Sequence, residues 1–390
     1  MNTQIKPNYF LSQPHQPFFL LGVLNAIVMM LLFALSYKGI LSLAVDAKIF
    51  HVYSLTFLVF TNVFTGFLFT TFPKFNQSEL ISKKYYVNTF LISLLGSALF
   101  VAGSFISTEL TALGMFTTFI AELIIVMKLH SIYNTGKATD KKDSFWILNT
   151  NYFGLIGNIS FILSLYVPAA LSSAINISFY LYLIFLAFSV GQRMIPFFSH
   201  SFAVKNENFI KIVFVLFVAK ALFSSLEIKT AEILIDLLLS IYMTLEFKRW
   251  ELRPFESPAI LWVLHLALFW LPTAFLLSAL SLLGEIFFDI SFYFLNIHLL
   301  AIGFLTTLLI GFGTRVTLGH SGQPPHGDKF ATAIFIFIQV VVLGRALFSF
   351  NIAFGWGLNF LFDISFTLWL ILFVVWGLRY GRVLYSGAKI

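Results

Sequence analysis

The chain has 390 residues, 59% of them hydrophobic and only 11% charged, with a mean hydropathy of +0.92. A soluble domain carries about 25% charged residues, so the composition is that of a polytopic membrane protein. The net charge of +7 then concerns loop topology rather than nucleic acid. Cysteine is absent, which excludes disulfides, thiolate haem ligation, iron–sulfur clusters and cysteine-based zinc or copper sites. Any metal must be held by His, Met, Tyr, carboxylate or backbone oxygen.

Twelve apolar stretches of spanning length can be placed, at 18–37, 49–72, 86–106, 109–132, 144–166, 173–198, 209–226, 229–247, 258–282, 291–317, 329–350 and 358–382. The first lacks a basic segment close before it and an A-x-A cleavage site, so it reads as a retained helix rather than a signal peptide. The connections are short and no Pro/Gly/Ser-rich linker interrupts them. The expectation is an all-α polytopic membrane protein: one bundle of about twelve transmembrane helices, a single domain over 1–390.

An even number of spans puts both termini on one side. Lys38, Lys48, Lys220, Lys229 and Arg345 fall on the opposite side, and the rest of the 24 basic residues, from Lys6 to Lys389, fall on the side of the termini. The positive-inside rule then makes both termini cytoplasmic.

Some charges lie within spans. Lys220 and Asp236 sit at similar depth on spans seven and eight, and Arg345 and Asp363 bear the same relation on spans eleven and twelve. Pairing is the usual solution for ionisable groups in hydrocarbon, so both pairs read as staples across hairpins, with a proton or ion route as the alternative. Glu122, in span four, is the carboxyl the sequence nominates for a proton path. Its alternative is a neutral carboxyl hydrogen-bonded between helices.

The eight histidines sort by side. His15 precedes span one, His130 ends span four, and His200, His320 and His326 lie in loops, all cytoplasmic. His51 opens span two at the outer face, and His298 lies about seven residues into span ten from that face. The two differ in depth by about 8 Å along a straight helix, a gap that helix tilt of about 20° partly absorbs. A haem is broad enough to bridge such positions, whereas a small ion needs closer convergence. His265 lies nearer the midplane and either joins them or stands alone. For each buried histidine the alternative is a neutral imidazole bonded to a neighbouring helix, and His200 and His326 read as solvated.

Met29 and Met30 are potential thioether ligands but read as packing. Gly157 to Ser160 reads as close helix packing. The 50 phenylalanines read as lipid contact, with passage of a small neutral gas as the sharper alternative. No phosphate loop, H-E-x-x-H or G-x-S-x-G occurs. Arg315, about 26 Å along the helix from His298, closes span ten, where a cation satisfies helix-terminal carbonyls. The stretch 296–327 therefore holds parts of two sites, one at each end of a span.

Several stretches together resemble the NnrS family of bacterial membrane proteins. Pro14–Leu21 (PHQPFFLL) is similar to its F-R-P-F-F-L opening, and His51 with Gly66-Phe67 to its H-x-H-E motif followed by a G-F pair. Gly191–Phe198 (GQRMIPFF) resembles G-x-R-x-I-P-x-F, and His265 falls in a Leu-His motif of the ninth span. His298 to Pro324, ending in TRVTLGHSGQP, resembles the H…T-R-x-x-L-G-H-T-G-R-P signature. Arg379-Tyr380-Gly381 resembles a terminal R-Y-G-P, with Arg382 in place of the proline. Tyr53 and Ser54 stand where the family motif has its second His and its Glu, and His15-Gln16 where it has Phe-Arg.

The resemblance implies a haem protein, with copper as a second metal, acting in nitric oxide and nitrosative stress tolerance in the bacterial inner (cytoplasmic) membrane. It implies ligands among His51, His265, His298 and His320, with Tyr53 as a further ligand or hydrogen-bond donor. Arg193, Arg315 and the His320 loop would shape the inner face. The expected partners are the lipid bilayer and a small neutral gas such as NO, and no nucleic acid. Two rival readings remain: a redox enzyme turning over NO or O2, with Glu122 on its proton path, and a non-redox transporter or metal-handling protein, for which broken helices near the midplane would speak.

Overall fold

The computed structural model describes residues 9–390; Lys6 lies outside them. Every described element is helical. The twelve expected spans correspond one to one with α1 (His15–Tyr37), α2 (Ala47–Phe75), α3 (Lys83–Ile106), α4 (Thr108–Thr135), α5 (Lys142–Ser164), α6 (Ala170–Phe198), α7 (Phe209–Ser225), α8 (Lys229–Arg249), α9 (Ala259–Phe288), α10 (Leu295–His320), α11 (Lys329–Phe354) and α12 (Phe360–Ser386). Nine of these, all but α5, α7 and α8, are long and apolar enough to cross a membrane, and the protein is multi-pass. The other three differ for visible reasons. α7 has only 17 residues. α8 carries Glu232, Asp236, Glu246, Lys248 and Arg249, and α5 is interrupted by Asn149, Asn151 and Asn158.

The chain forms two compact units. The first takes the chain up to Leu148 with Gly313–Pro325 and Phe373–Ile390; the second takes Asn149–Phe312 and His326–Leu372.

α1 begins at His15 rather than Phe18 because Gln16 organises its first turn. The Gln16 side-chain oxygen accepts from the Gln13 amide at 2.8 Å and from the Ser12 hydroxyl at 3.0 Å, so donors orphaned at a helix start are satisfied.

Three helices depart from α geometry. π-helical turns occupy Ser54–Phe60 in α2, Ile177–Ile184 in α6 and Leu299–Thr306 in α10, that is, at every fourth helix. These are also the most enclosed of the nine, with 83%, 94% and 78% of their apolar windows buried. A π turn shifts backbone bonding by one residue and concentrates at functional sites. The side chains follow the shift. Thr61 donates to the Thr56 carbonyl and Thr306 to the Ala301 carbonyl, each five residues back, whereas in the ordinary turns Thr65 and Thr70 donate four residues back. The Leu58 carbonyl, inside the α2 π turn, accepts from both Asn25 and Asn62 at 2.7 Å.

Packing between neighbours relies on small residues. A Cβ at Gly103 would fall 2.3 Å from the Thr111 nitrogen, and one at Gly114 2.3 Å from the Phe100 nitrogen. α3 and α4 therefore touch backbone to backbone, as small-residue interfaces in membranes allow. Gly157 packs against the Ser178 side chain.

Candidate functional site

The first unit gathers four separated stretches at the start of α1. Gly66 of α2 lies against His15–Phe19: a Cβ there would stand 3.0 Å from Phe18 and 3.1 Å from the His15 Cα. His320, the last residue of α10, brings its ring to 5.0 Å from that of His15, centroid to centroid. From α12, Trp376 donates to the Thr314 hydroxyl at 3.0 Å, and Gly381 faces Leu20. The PHQPFFLL, Gly-Phe, TRVTLGH and Arg-Tyr-Gly stretches thus form one cluster.

Its polar centre is His15, His320 and Lys74. His320 Nδ1 is hydrogen-bonded to the Val316 carbonyl at 3.1 Å, and its Nε2 lies 3.4 Å from the Lys74 ammonium. An ammonium only donates, so His320 Nε2 carries the lone pair. His15 is 2% exposed, and its Nδ1 is buried without a hydrogen bond. A buried polar atom left unsatisfied costs about 1–3 kcal/mol, and an explanation is owed for each one.

The other candidates of this unit lie elsewhere. His51, in the first turn of α2, stacks on Phe33 at 4.1 Å between ring centroids. Tyr53 is fully buried, stacks on Phe100 and donates its hydroxyl to the Met115 carbonyl at 3.2 Å, so it ties α2 to α4. Glu122 is buried in α4. Arg315 is half-buried in α10.

In the second unit, His298 follows a strained turn. Tyr293 and Phe294 have φ of 38° and 58°, a left-handed conformation unusual for bulky side chains and costing about 1–3 kcal/mol per residue. The turn is clamped from α11: Arg345 and Ser349 both donate to the Tyr293 carbonyl, at 3.3 and 3.2 Å, and Arg345 also donates to Ser349 at 2.6 Å. The Phe294 carbonyl bonds His298 Nδ1 at 2.9 Å. That bond fixes the ring and makes Nε2 the nitrogen for any ligated iron, the arrangement that metal-bound histidines usually show. The π turn begins at the next residue.

His265 does not join His298. Gly311 of α10 packs on Leu264 and Gly303 on Trp270, while Asn296 bonds Ser278. His265 is therefore level with about residue 311, some 20 Å along the helix from His298. It faces the end of α6, where its Nε2 bonds the Ser199 hydroxyl at 2.6 Å. Arg193 is half-buried five residues before that end. Among the described residues no three of His, Asp and Glu come together in a way that could hold a metal ion.

Sequence reasoning left His15 and Lys74 out of the site. The available signal was Pro14 with Gln16, which marks a helix start and carries His15 into the packed first turn rather than a preceding loop.

An all-helical, multi-pass protein with histidines set on π-interrupted helices is the class this structure defines. The family model described as NnrS protein matches residues 9–387, and the chain belongs to the NnrS family. No curated protein matches it.

Proposed function

We propose that this protein binds haem, with copper as a second metal, and acts in nitric oxide and nitrosative stress tolerance. On this reading it crosses the bacterial inner membrane twelve times with both termini in the cytoplasm, and a small neutral gas such as NO reaches it from the bilayer. Family membership supports the role. The observation that carries the cofactor assignment is His298, its ring oriented through Nδ1 on a strained, clamped turn.

The two histidine settings suit different groups. Two imidazoles on opposite faces of one iron, each about 2 Å from it, have ring centres roughly 6 Å or more apart. His15 and His320, at 5.0 Å, are too close to sandwich a haem. They fit a bare metal ion, with the buried Nδ1 of His15 as one ligand and Nε2 of His320 as the other once Lys74, which is exposed, swings away. Imidazole suits copper. His298 would hold haem through Nε2, and haem would supply a site for NO at its iron.

Reduced and oxidised optical spectra of protein purified from haem-replete cells, with metal analysis, test this reading. A Soret band lost or altered in His298→Ala is expected. No Soret band in the wild type removes haem binding, and an unaltered spectrum in His298→Ala removes that ligand. Loss of NO tolerance in a deletion strain, restored by the wild-type gene, tests the role; unchanged tolerance removes it.

A further inference from the structure

Deep in the second unit, Lys220 of α7 is fully buried between two carboxylates of α8. Its ammonium donates to Asp236 at 2.8 Å and to Glu232 at 2.9 Å. The matched depth of Lys220 and Asp236 suggests a simple staple, but a staple needs one carboxylate, and here there are two. One cation neutralises one of them. A second bare negative charge out of water is costly, and a buried group in that position takes up a proton instead.

The surroundings of the two carboxyls differ. Glu232 lies in the first turn of α8 with its side chain 11% exposed, and its Oε2 accepts from both Lys220 and the Ser224 hydroxyl. It is the better hydrated and better hydrogen-bonded of the two. Asp236, one turn deeper, is 0% exposed; its Oδ2 accepts from Lys220, and its Oδ1 is buried without a hydrogen bond. The Ser278 hydroxyl of α9 lies beside this carboxyl and accepts in turn from Asn296 of α10 at 3.1 Å. A proton on Oδ1 turns that unsatisfied acceptor into a donor. The remaining group against the cluster is the buried Tyr180 of α6, its ring 5.7 Å from the Lys220 ammonium.

We propose that Asp236 is a proton-binding carboxyl inside the membrane, held neutral beside an ionised Lys220–Glu232 pair and placed to pass its proton between the Glu232 end and the Ser278–Asn296 pair. The entry side is acidic: Glu227, Glu285 and Asp289 surround Lys229 at the start of α8, with Glu285 paired to it at 2.9 Å. Such a rim collects protons from water. The far end of the chain, Asn296, is two residues before His298 on α10. The assignment is independent of what His298 binds.

Infrared spectroscopy of the full-length protein in lipid bilayers tests it. The expected result is a protonated-carboxyl C=O band that moves on transfer to D2O and on labelling aspartate carboxyls with 13C. Asp236→Asn should abolish it, and Glu232→Gln should leave it in place. So should Asp143→Asn, at the other buried aspartate among the described residues. Absence of the band wherever the protein stays folded, or its persistence in Asp236→Asn, overturns the proposal. Should Asp236→Asn fail to fold, the labelled wild type and Asp143→Asn decide, and a band that does not respond to the aspartate label overturns it equally.

Discussion

His15 and His320 meet ring to ring at 5.0 Å although they open the first long helix and close the tenth. The contact unites the stretches that resemble family motifs, and it places a buried nitrogen without a hydrogen bond next to a lone pair that faces only a lysine ammonium. In the family pattern this part of the opening segment is Phe-Arg, so the imidazole pair is a feature of this chain's own residues.

A prediction separates a ligand pair from a packing contact. His15→Leu keeps most of the volume and removes the unsatisfied Nδ1. The variant should fold and melt no lower than the wild type, since removing such a group recovers about 1–3 kcal/mol. Where copper occupies the pair, metal analysis of His15→Leu should show it lost, while His298→Ala retains it. Copper undiminished in His15→Leu excludes the pair as its site.

Much of the architecture was legible from hydropathy, because length and apolarity alone delimit a helix in lipid; each expected span has its helix. Equal depth was enough to match Lys220 with Asp236. Glu232 was missed because a carboxyl in a helix's first turn reads as a favourable end charge, and only the actual reach of Lys220 adds it as a third member. The π turns left no hydropathy signal at all, since an inserted residue in an all-apolar segment changes no average. In α2 and α10 their traces are Thr56, Thr61, Thr306 and Thr307 within apolar runs. His265 was placed near the midplane by counting residues, but its direction, toward Ser199, depends on rotation about the helix, which an all-round apolar sequence does not specify.

The Lys220 cluster makes an asymmetric stability prediction. Lys220→Met leaves the ionised Glu232 without its cation and should cost about 3–5 kcal/mol, as when one partner of a buried pair is removed. Adding Glu232→Gln and Asp236→Asn to Lys220→Met should recover most of that loss. Thermal unfolding in bilayers checks both; equal instability of the single and triple variants contradicts the charge argument.

The α2 π turn depends on amides that reach the Leu58 carbonyl. Asn25 also donates to Ser97 at 3.1 Å, so it joins α1, α2 and α3. Asn25→Leu should destabilise the protein by about 1–3 kcal/mol through the unsatisfied partners it leaves. Thr65→Val, which removes an ordinary back-bond four residues long, should cost less. Melting temperatures of the two variants compare them directly, and a larger loss for Thr65→Val would count against a special role for the π turn.

The clamp on the Tyr293–Phe294 turn couples α11 to the His298 ring. Ser349 is fully buried, donates to the Tyr293 carbonyl and accepts from Arg345; Arg345 also lies over the Tyr293 ring, 6.0 Å from its centroid. Ser349→Ala removes one donor to the carbonyl and should cost about 0.5–1.5 kcal/mol. Arg345→Met removes the charge-assisted donor as well and should cost more. Both changes release a turn whose left-handed residues persist only while their surroundings hold them, and the Phe294 carbonyl that orients His298 belongs to that turn. With haem on His298, the reduced-minus-oxidised spectrum should therefore shift or broaden in the order wild type, Ser349→Ala, Arg345→Met, while Lys229→Ala, at the half-exposed Lys229–Glu285 pair, leaves it unchanged. A spectrum that ignores the clamp but is lost in His298→Ala would show that the ligand is held by other means than this turn.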